Sequence, residues 1–172
     1  MFKYCPQCAS RNIKFERNRV FRCPDCGFVY YHNTAAAGGL LIATDRGVLL
    51  IERVKEPAKG KFAVPGGFVD PGEGAVEGLR RECREEIGWD PGPDIKLYAS
   101  FPNSYPYKGI VYNTCDLFFT VSAPDLRASR LSVDPREIGG IRFVRAQDIA
   151  PDDLAFDSTR RAITAFQSLG RL

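Results

Sequence analysis

Glu82, Glu85 and Glu86 stand at i, i+3 and i+4 in a segment that reads as a helix over Gly74–Ile87, so all three side chains reach one patch of surface. Like charges at that spacing repel by about 0.2–0.5 kcal/mol per pair. Crowding them into the last turn costs roughly another 0.3–1 kcal/mol against the helix dipole. Selection for stability alone would place Lys or Arg there. A divalent cation reverses both penalties, because clustered hard oxygens are what Mg²⁺ or Mn²⁺ require. Helix physics leaves one competing account, a solvated face neutralised by Arg80, Arg81 and Arg84. With a single histidine, His32, in the chain, acid–base work falls to carboxylates.

A second constellation is sulfur. Cys5-Pro-Gln-Cys8 and Cys23-Pro-Asp-Cys26-Gly27 lie 14 residues apart, while Cys83 and Cys115 are single and distant. Two residues between cysteines let one tight turn aim both sulfurs at one ion, and two such turns complete a tetrahedron. The alternative, a pair of disulfides, suits secretion, of which the sequence gives no sign. With four sulfur ligands a Zn²⁺ site is closed and leaves no position for a catalytic water. A piece of about 30 residues cannot fold on its own core, and the metal meets that need. Arg11, Lys14, Arg17, Arg19 and Arg22 make this ribbon basic, which suits either RNA contact or a plain solvated hairpin face.

The elements that must carry these groups follow from periodicity. Within the ribbon, Ile13 and Phe15 alternate, Asn18 offers a turn, and Val20-Phe21 return. Strands are expected over Thr34–Thr44, Gly47–Arg53, Asp94–Phe101, Val111–Val121 and Ile141–Arg145, with Asp45-Arg46-Gly47 as a hairpin turn. The first helix buries Val76, Leu79, Cys83 and Ile87 and stops at Gly88. Gly78 inside it costs about 1 kcal/mol against Ala, which close packing against the sheet would explain. A second helix is expected over Ser158–Leu169, with Ala162, Ile163, Phe166 and Leu169 as its stripe and Asp157 or Ser158 as its N-cap. Helices on opposite faces of a sheet make an α/β fold.

The 172 residues are 44% hydrophobic and 26% charged, ordinary for a soluble globular chain of one domain with a small appendage. The longest apolar run, Ala35–Ala43, falls well short of the roughly 18–20 residues that span a membrane. MFKYCPQC lacks a signal peptide's apolar stretch, so the expected location is the cytoplasm. A net charge of +3 is too small to predict a polyanion partner by itself.

The stretch GGFVDPGEGAVEGLRRECREEIGW, Gly66 to Trp89, resembles the Nudix box G-x5-E-x7-R-E-U-x-E-E-x-G-U, where U is a bulky apolar residue. Gly67, Glu73, Arg81, Glu82, Glu85, Glu86 and Gly88 fill its fixed positions, and Cys83 and Trp89 its apolar ones. Seven specified residues at about 7% usage make a chance match on the order of one in a million. The resemblance implies an α/β/α sandwich with a mixed sheet over residues 33–172, preceded by a four-cysteine zinc ribbon over residues 1–32. It further implies divalent-metal-dependent hydrolysis of nucleoside diphosphates linked to another group, giving a nucleoside monophosphate. Glu82, Glu85 and Glu86 would bind Mg²⁺ or Mn²⁺, the Gly66 carbonyl would add a ligand, and Glu73 with Arg81 would brace the loop against the helix. Glu82 is the first candidate for general base. Cys83 reads as a core side chain and His32 as structural.

The ribbon, its spacing and Tyr30-Tyr31 resemble the NADH pyrophosphatase branch, as does Asp134-Pro135-Arg136-Glu137, where Glu137 would supply a metal ligand from outside the box. A surface acid in a turn is the plainer reading of Glu137. Two departures stand out. That branch's Ser-Gln-Pro-Trp-Pro-Phe-Pro-x-Ser motif is replaced by Ser100-Phe101-Pro102-Asn103-Ser104-Tyr105-Pro106-Tyr107, and the chain is expected to lack the N-terminal domain of longer members. Ser100, Tyr105 and Tyr107 are the candidate substrate contacts, and Tyr105, Tyr107 and Tyr112 could stack on a base or nicotinamide ring or simply pack a loop. The expected substrates are NADH, NAD⁺ or ADP-ribose-like dinucleotides. Oxidised nucleoside triphosphates, NAD-capped RNA, and a non-catalytic nucleic-acid-binding scaffold are the alternatives. The branch's relatives are commonly homodimers, and the resemblance implies the same for this chain.

Overall fold

A computed structural model describes residues 2–168. Its contacts divide the chain into Met1–Thr34 and Ala35–Leu172.

In the first unit, β1 (Lys14–Glu16), β2 (Val20–Arg22) and β3 (Val29–Tyr31) form an antiparallel sheet in sequence order. Arg17 and Asn18 both take positive φ at the β1–β2 turn, a conformation asparagine tolerates. Strand β3 adds to the hairpin that the sequence pattern gives, because its residues follow the second knuckle with no alternation or turn signal of their own. Its Val20↔Tyr31 and Phe21↔Tyr30 pairs continue the sheet, and the His32 N–H donates to the Arg19 carbonyl just beyond it. Phe21 is buried among Phe2, Phe15 and Tyr30, with the Phe15 ring stacked at 4.2 Å. That is a very small core.

In the second unit, β4 (Ala35–Thr44), β5 (Gly47–Arg53), β6 (Phe62–Ala63), β7 (Lys96–Tyr107), β8 (Ile110–Ser122) and β9 (Ile138–Val144) form one mixed sheet among the described residues. Strand β4 runs parallel to β8, and the other pairings are antiparallel. Helix α1 (Ala75–Ile87) and helix α2 (Asp157–Ser168) cover its two faces. The alternation of β4 and β5 sorts the core. Leu40, Ile42, Leu49 and Ile51 pack with Leu79, Cys83 and Ile87, whereas Leu41, Val48 and Leu50 pack with Ala162, Ile163 and Phe166. The layered sandwich expected from the sequence is therefore the observed fold. No helix among the described residues is long and apolar enough to cross a membrane.

Several boundaries differ from expectation for identifiable reasons. Strand β7 continues past Pro102 and Pro106 to Tyr107 because it is an edge strand, where a missing N–H costs no ladder bond. Strand β9 begins at Ile138, three residues early, through the irregular pairing at Glu52/Arg53. Ser158 does not cap α2. It lies inside the first turn, fully buried, with its hydroxyl donating to Asp116. The expected stripe residue Leu169 lies outside the described residues. Gly78 is explained by the loop, not by the sheet: a Cβ there would meet Glu73 Oε1 at 2.7 Å. The glycines that let helix and sheet approach are on β4, where a Cβ on Gly38 would strike Leu79.

Candidate active site

Strands β4 and β5 pair only beside their turn, at Ala43↔Val48 and Thr44↔Gly47, and then diverge. The segment Pro65–Val69 fills the vacated edge of β4: Leu40 N–H donates to the Pro65 carbonyl, Gly38 N–H to Gly67, and Val69 N–H to Ala36. A side chain at Gly66, whose φ is +142°, would drive into the Gly38 carbonyl, so glycine is required. A cavity of about 450 Å³ opens between these elements, lined by residues of β4, β5, β7 and β8 together with Gly66, Glu82, Glu86 and Glu137.

Glu86 is 8% exposed although it belongs to the polar side of the helix pattern. Gly66 N–H donates to its Oε2 at 2.9 Å. Burial pushes its carboxyl up to about 8, and the nearby Glu82 and Glu137 charges push the same way. Burial also raises Glu82, partly opposed by Arg81, whose Nη1 donates to Glu82 Oε1 at 2.9 Å. Glu85 is exposed, touches Arg81 Nη1 at 3.3 Å and does not line the cavity. One face of a helix has thus been split, with two acids turned in and one left outside.

Of the inward pair the arginines bond only Glu82, through Arg81, and leave Glu86 without one among the described residues. Arg80 and Arg84 both bind Asp90, whose carboxyl they hold well below the usual range. Arg81 grips both oxygens of Glu73, at 2.7 and 3.2 Å, and also donates to the Phe68 carbonyl, so it ties the loop to the helix. No side-chain cation bonds Glu86 among the described residues. A buried carboxyl beside two further acids, bonded only by a backbone donor among the described residues and with the Arg53 charge acting on it without a bond, is a donor set that fits a hard divalent cation. The Gly66 carbonyl, which accepts no hydrogen bond among the described residues, suits the same ion.

Glu137 reaches the cavity because residues 132–137 dock on the end of α1, where Ser132 N–H donates to the Ile87 carbonyl and Asp134 N–H to Glu86. Lys55 Nζ binds Glu137 Oε1 at 2.6 Å. Tyr105 and Tyr107 line the cavity, and Tyr105 lies 5.4 Å from the Phe68 ring and 5.7 Å from Phe156. Ser100 is exposed and away from the cavity. Strand alternation sends Phe101, Asn103 and Tyr105 to one face and Ser100 to the other. Tyr112 pairs with Tyr105 across the hairpin but does not line the cavity. Sequence reasoning missed Lys55, Thr114, Asp116 and Phe156, all of which line it. Asp116 is the one charged residue of β8, but the strand also carries Asn113, Thr114, Thr120 and Ser122, so polarity alone does not single it out. Nothing singles out Lys55 either.

The four ribbon cysteines bring their sulfurs within 4.8 Å of one another. Cys5–Cys26 and Cys8–Cys23 are 3.6 Å apart, and no disulfide joins any of them. A tetrahedron with metal–sulfur bonds of about 2.3 Å has edges of about 3.8 Å, so the set fits a zinc-sized ion. The two knuckles share one geometry. Ala9 N–H bonds the Cys5 carbonyl and Gly27 N–H the Cys23 carbonyl, with Ala9 and Gly27 both at positive φ.

A family model described as NUDIX domain matches residues 32–166. The ADP-ribose pyrophosphatase of Methanocaldococcus jannaschii is 46% identical over 63 residues, covering 37% of this chain and 37% of that protein. The NAD-capped RNA hydrolase NudC of Chromobacterium violaceum is 35% identical over 106 residues, covering 61% of this chain and 38% of that protein. The matches thus span less than two-fifths of these curated relatives' length. Among solved structures, a NUDIX hydrolase from Nitrosomonas europaea has a TM-score of 0.66 at 22% identity, covering 97% of this chain and 91% of that one. The NUDIX domain of Shewanella oneidensis NrtR, complexed with ADP ribose, has a TM-score of 0.65 at 19% identity, covering 81% and 90%. At such identities the structural likeness speaks for the fold alone.

Proposed function

The chain belongs to the NUDIX family, and from that premise we propose that it is a divalent-metal-dependent pyrophosphohydrolase acting on NADH, NAD⁺ or ADP-ribose-like dinucleotides, with a zinc-bound ribbon as a structural appendage. The observation that carries this reading is Glu86, a buried carboxyl pushed up to about 8 with no cation bonded to it among the described residues, facing the same cavity as Glu82, Glu137 and an aromatic wall. The names of the curated relatives support the substrate class.

Glu82, Glu86, Glu137 and the Gly66 carbonyl would hold Mg²⁺ or Mn²⁺, with Glu85 close by on the helix. Such an ion supplies neutralisation of the diphosphate's negative oxygens and a water of lowered pKa. Glu82 Oε1 is held by Arg81, leaving Oε2 to accept the proton of the attacking water. Arg81 and Glu73 keep the Phe68–Glu73 loop, and with it Gly66, at a fixed place beside the acids. Phe68, Tyr105 and Phe156 offer ring faces to a base or nicotinamide.

The test is product analysis with Mg²⁺ or Mn²⁺ over NADH, NAD⁺, ADP-ribose, diadenosine polyphosphates and oxidised dGTP. AMP released from at least one dinucleotide is expected. A panel with no hydrolysis would overturn the reading, and cleavage of oxidised dGTP alone would move it to triphosphates. Gly67→Ala probes the geometry further. Gly67 has no positive φ, but a Cβ there would meet the Glu82 carboxylate, with Cδ at 2.7 Å. Only the tip of a flexible side chain must yield, so folding by circular dichroism should be unchanged while kcat falls about 10–100-fold.

NAD-capped RNA is a second substrate reading. It is favoured by the relatives' name and by the ribbon's exposed cation–aromatic pairs, Arg11 over Tyr4 and Arg19 over Tyr31. Faster turnover of capped RNA than of free NAD⁺ would support it.

A further inference from the structure

The cavity is also lined by two polar side chains of β8 that the proposed ion site does not use. Alternation along β8 sends Thr114, Asp116 and Phe118 to one face, where all three line the cavity and Phe118 also joins the core beneath α2. Thr114 and Asp116 are nearly sealed, at 3% and 9% exposure. Thr114 Oγ1 is a buried polar atom with no hydrogen-bond partner among the described residues, an arrangement that costs stability unless something else occupies the space. Asp116 Oδ2 accepts a hydrogen bond of 2.5 Å from the fully buried Ser158 hydroxyl. Its Oδ1 accepts none among the described residues. Ser158 thereby occupies one carboxyl oxygen and leaves the other to meet a ligand.

The floor therefore presents one oxygen that only accepts and, two residues before it on the same strand face, one hydroxyl that can donate. Tyr105 and Phe156, with ring centroids 5.7 Å apart, touch each other and give the cavity one aromatic wall. Resting on the pyrophosphohydrolase reading above, we infer that Thr114 and Asp116 are the specificity-determining residues of a subsite for a flat heterocycle whose amino group stands beside an acceptor. Asp116 Oδ1 accepts from the amino group and Thr114 Oγ1 donates to the neighbouring acceptor. Two groups of the proposed substrates carry this edge, the amino-pyrimidine edge of adenine and the carboxamide of nicotinamide. Hypoxanthine, held in the same pose, sets its carbonyl oxygen against the Asp116 acceptor, so that contact fails, while the Thr114 hydroxyl can turn to accept from the ring N–H.

The experiment compares kcat/KM within two substrate pairs, ADP-ribose against its hypoxanthine counterpart and NAD⁺ against its nicotinic acid counterpart. The same pairs are titrated calorimetrically without divalent ion, which reads the subsite independently of turnover. Wild type is expected to favour the amino-bearing member of one pair by at least ~10-fold. Preference in the first pair identifies adenine as the occupant, and in the second nicotinamide. In Asp116→Asn the amide oxygen stays on the Ser158 hydroxyl and turns a donor toward the cavity, so that preference should collapse by at least ~10-fold. Thr114→Val should lower kcat/KM for the favoured substrate and raise the Tm of the empty protein by removing the orphan hydroxyl, and Thr114→Ser should restore turnover. Hydrolysis with no discrimination in either pair, or variants that leave the ratio unchanged, overturns the subsite and spares the hydrolase. A binding preference without hydrolysis does the reverse, and neither binding nor hydrolysis overturns both.

Discussion

Glu86→Gln should lose at least about 100-fold in kcat while the ion-free protein becomes less sensitive to pH. The glutamine keeps the shape and an acceptor for the Gly66 N–H, now met at 2.9 Å, but cannot carry the charge that holds a divalent ion. The stability effect follows from the direction of the shift. In the fold the Glu86 carboxyl is pushed from its ordinary 4.5 to about 8, so between those values the folded state binds more protons than the unfolded one. Stability of the ion-free wild type is thus fullest below about 4.5 and declines as pH rises through about 8. The contribution is at most about 5 kcal/mol, taking roughly 1.4 kcal/mol per pH unit over the 4.5-to-8 shift. Burial raises Glu82 too, and it acts with the same sign. Thermal melts without divalent ion across this window should show Tm falling with pH in wild type, a shallower fall in Glu86→Gln, and recovery on adding Mg²⁺ or Mn²⁺ to wild type alone. Wild-type turnover in the variant would remove the ion-binding role from Glu86.

That pairing of effects explains why spacing shows a cluster of acids without showing how they divide the work. Positions i, i+3 and i+4 share a helix face, and the sequence supports that much. What turns Glu86 in and leaves Glu85 out is the docking of Pro65–Val69 along β4 and of residues 132–137 on the end of α1. Both are contacts between segments distant in sequence, and no local pattern encodes them. The core was legible for the opposite reason: Leu40 to Ile42 and Val48 to Ile51 simply alternate between two faces. Edge position permitted β7 to run through two prolines, and that position is a property of the whole sheet. Thr114 and Asp116 escaped notice because a polar residue in a strand gains meaning only when the space before it is known to be closed.

Cys23→Ser should cost the ribbon its metal and its fold while leaving the second unit standing. Cys23 is 2% exposed, and its backbone anchors the second knuckle through bonds to Phe28 and Gly27. A hydroxyl is a poor substitute for a thiolate on zinc, and structural zinc in small modules is worth about 10–16 kcal/mol of apparent folding free energy. The aromatic cluster around Phe21 is too small to replace it. The second unit has its own two-sided core, and every acid proposed for the reaction lies after Thr34. Metal analysis should therefore fall from one zinc per chain toward none, and amide protection should vanish over residues 14–31 but persist over residues 40–51. Hydrolysis of a small dinucleotide should stay largely intact. Full zinc retention in the variant would dismiss the four-sulfur site, whereas lost hydrolysis with residues 40–51 still protected would show that the ribbon contributes to turnover.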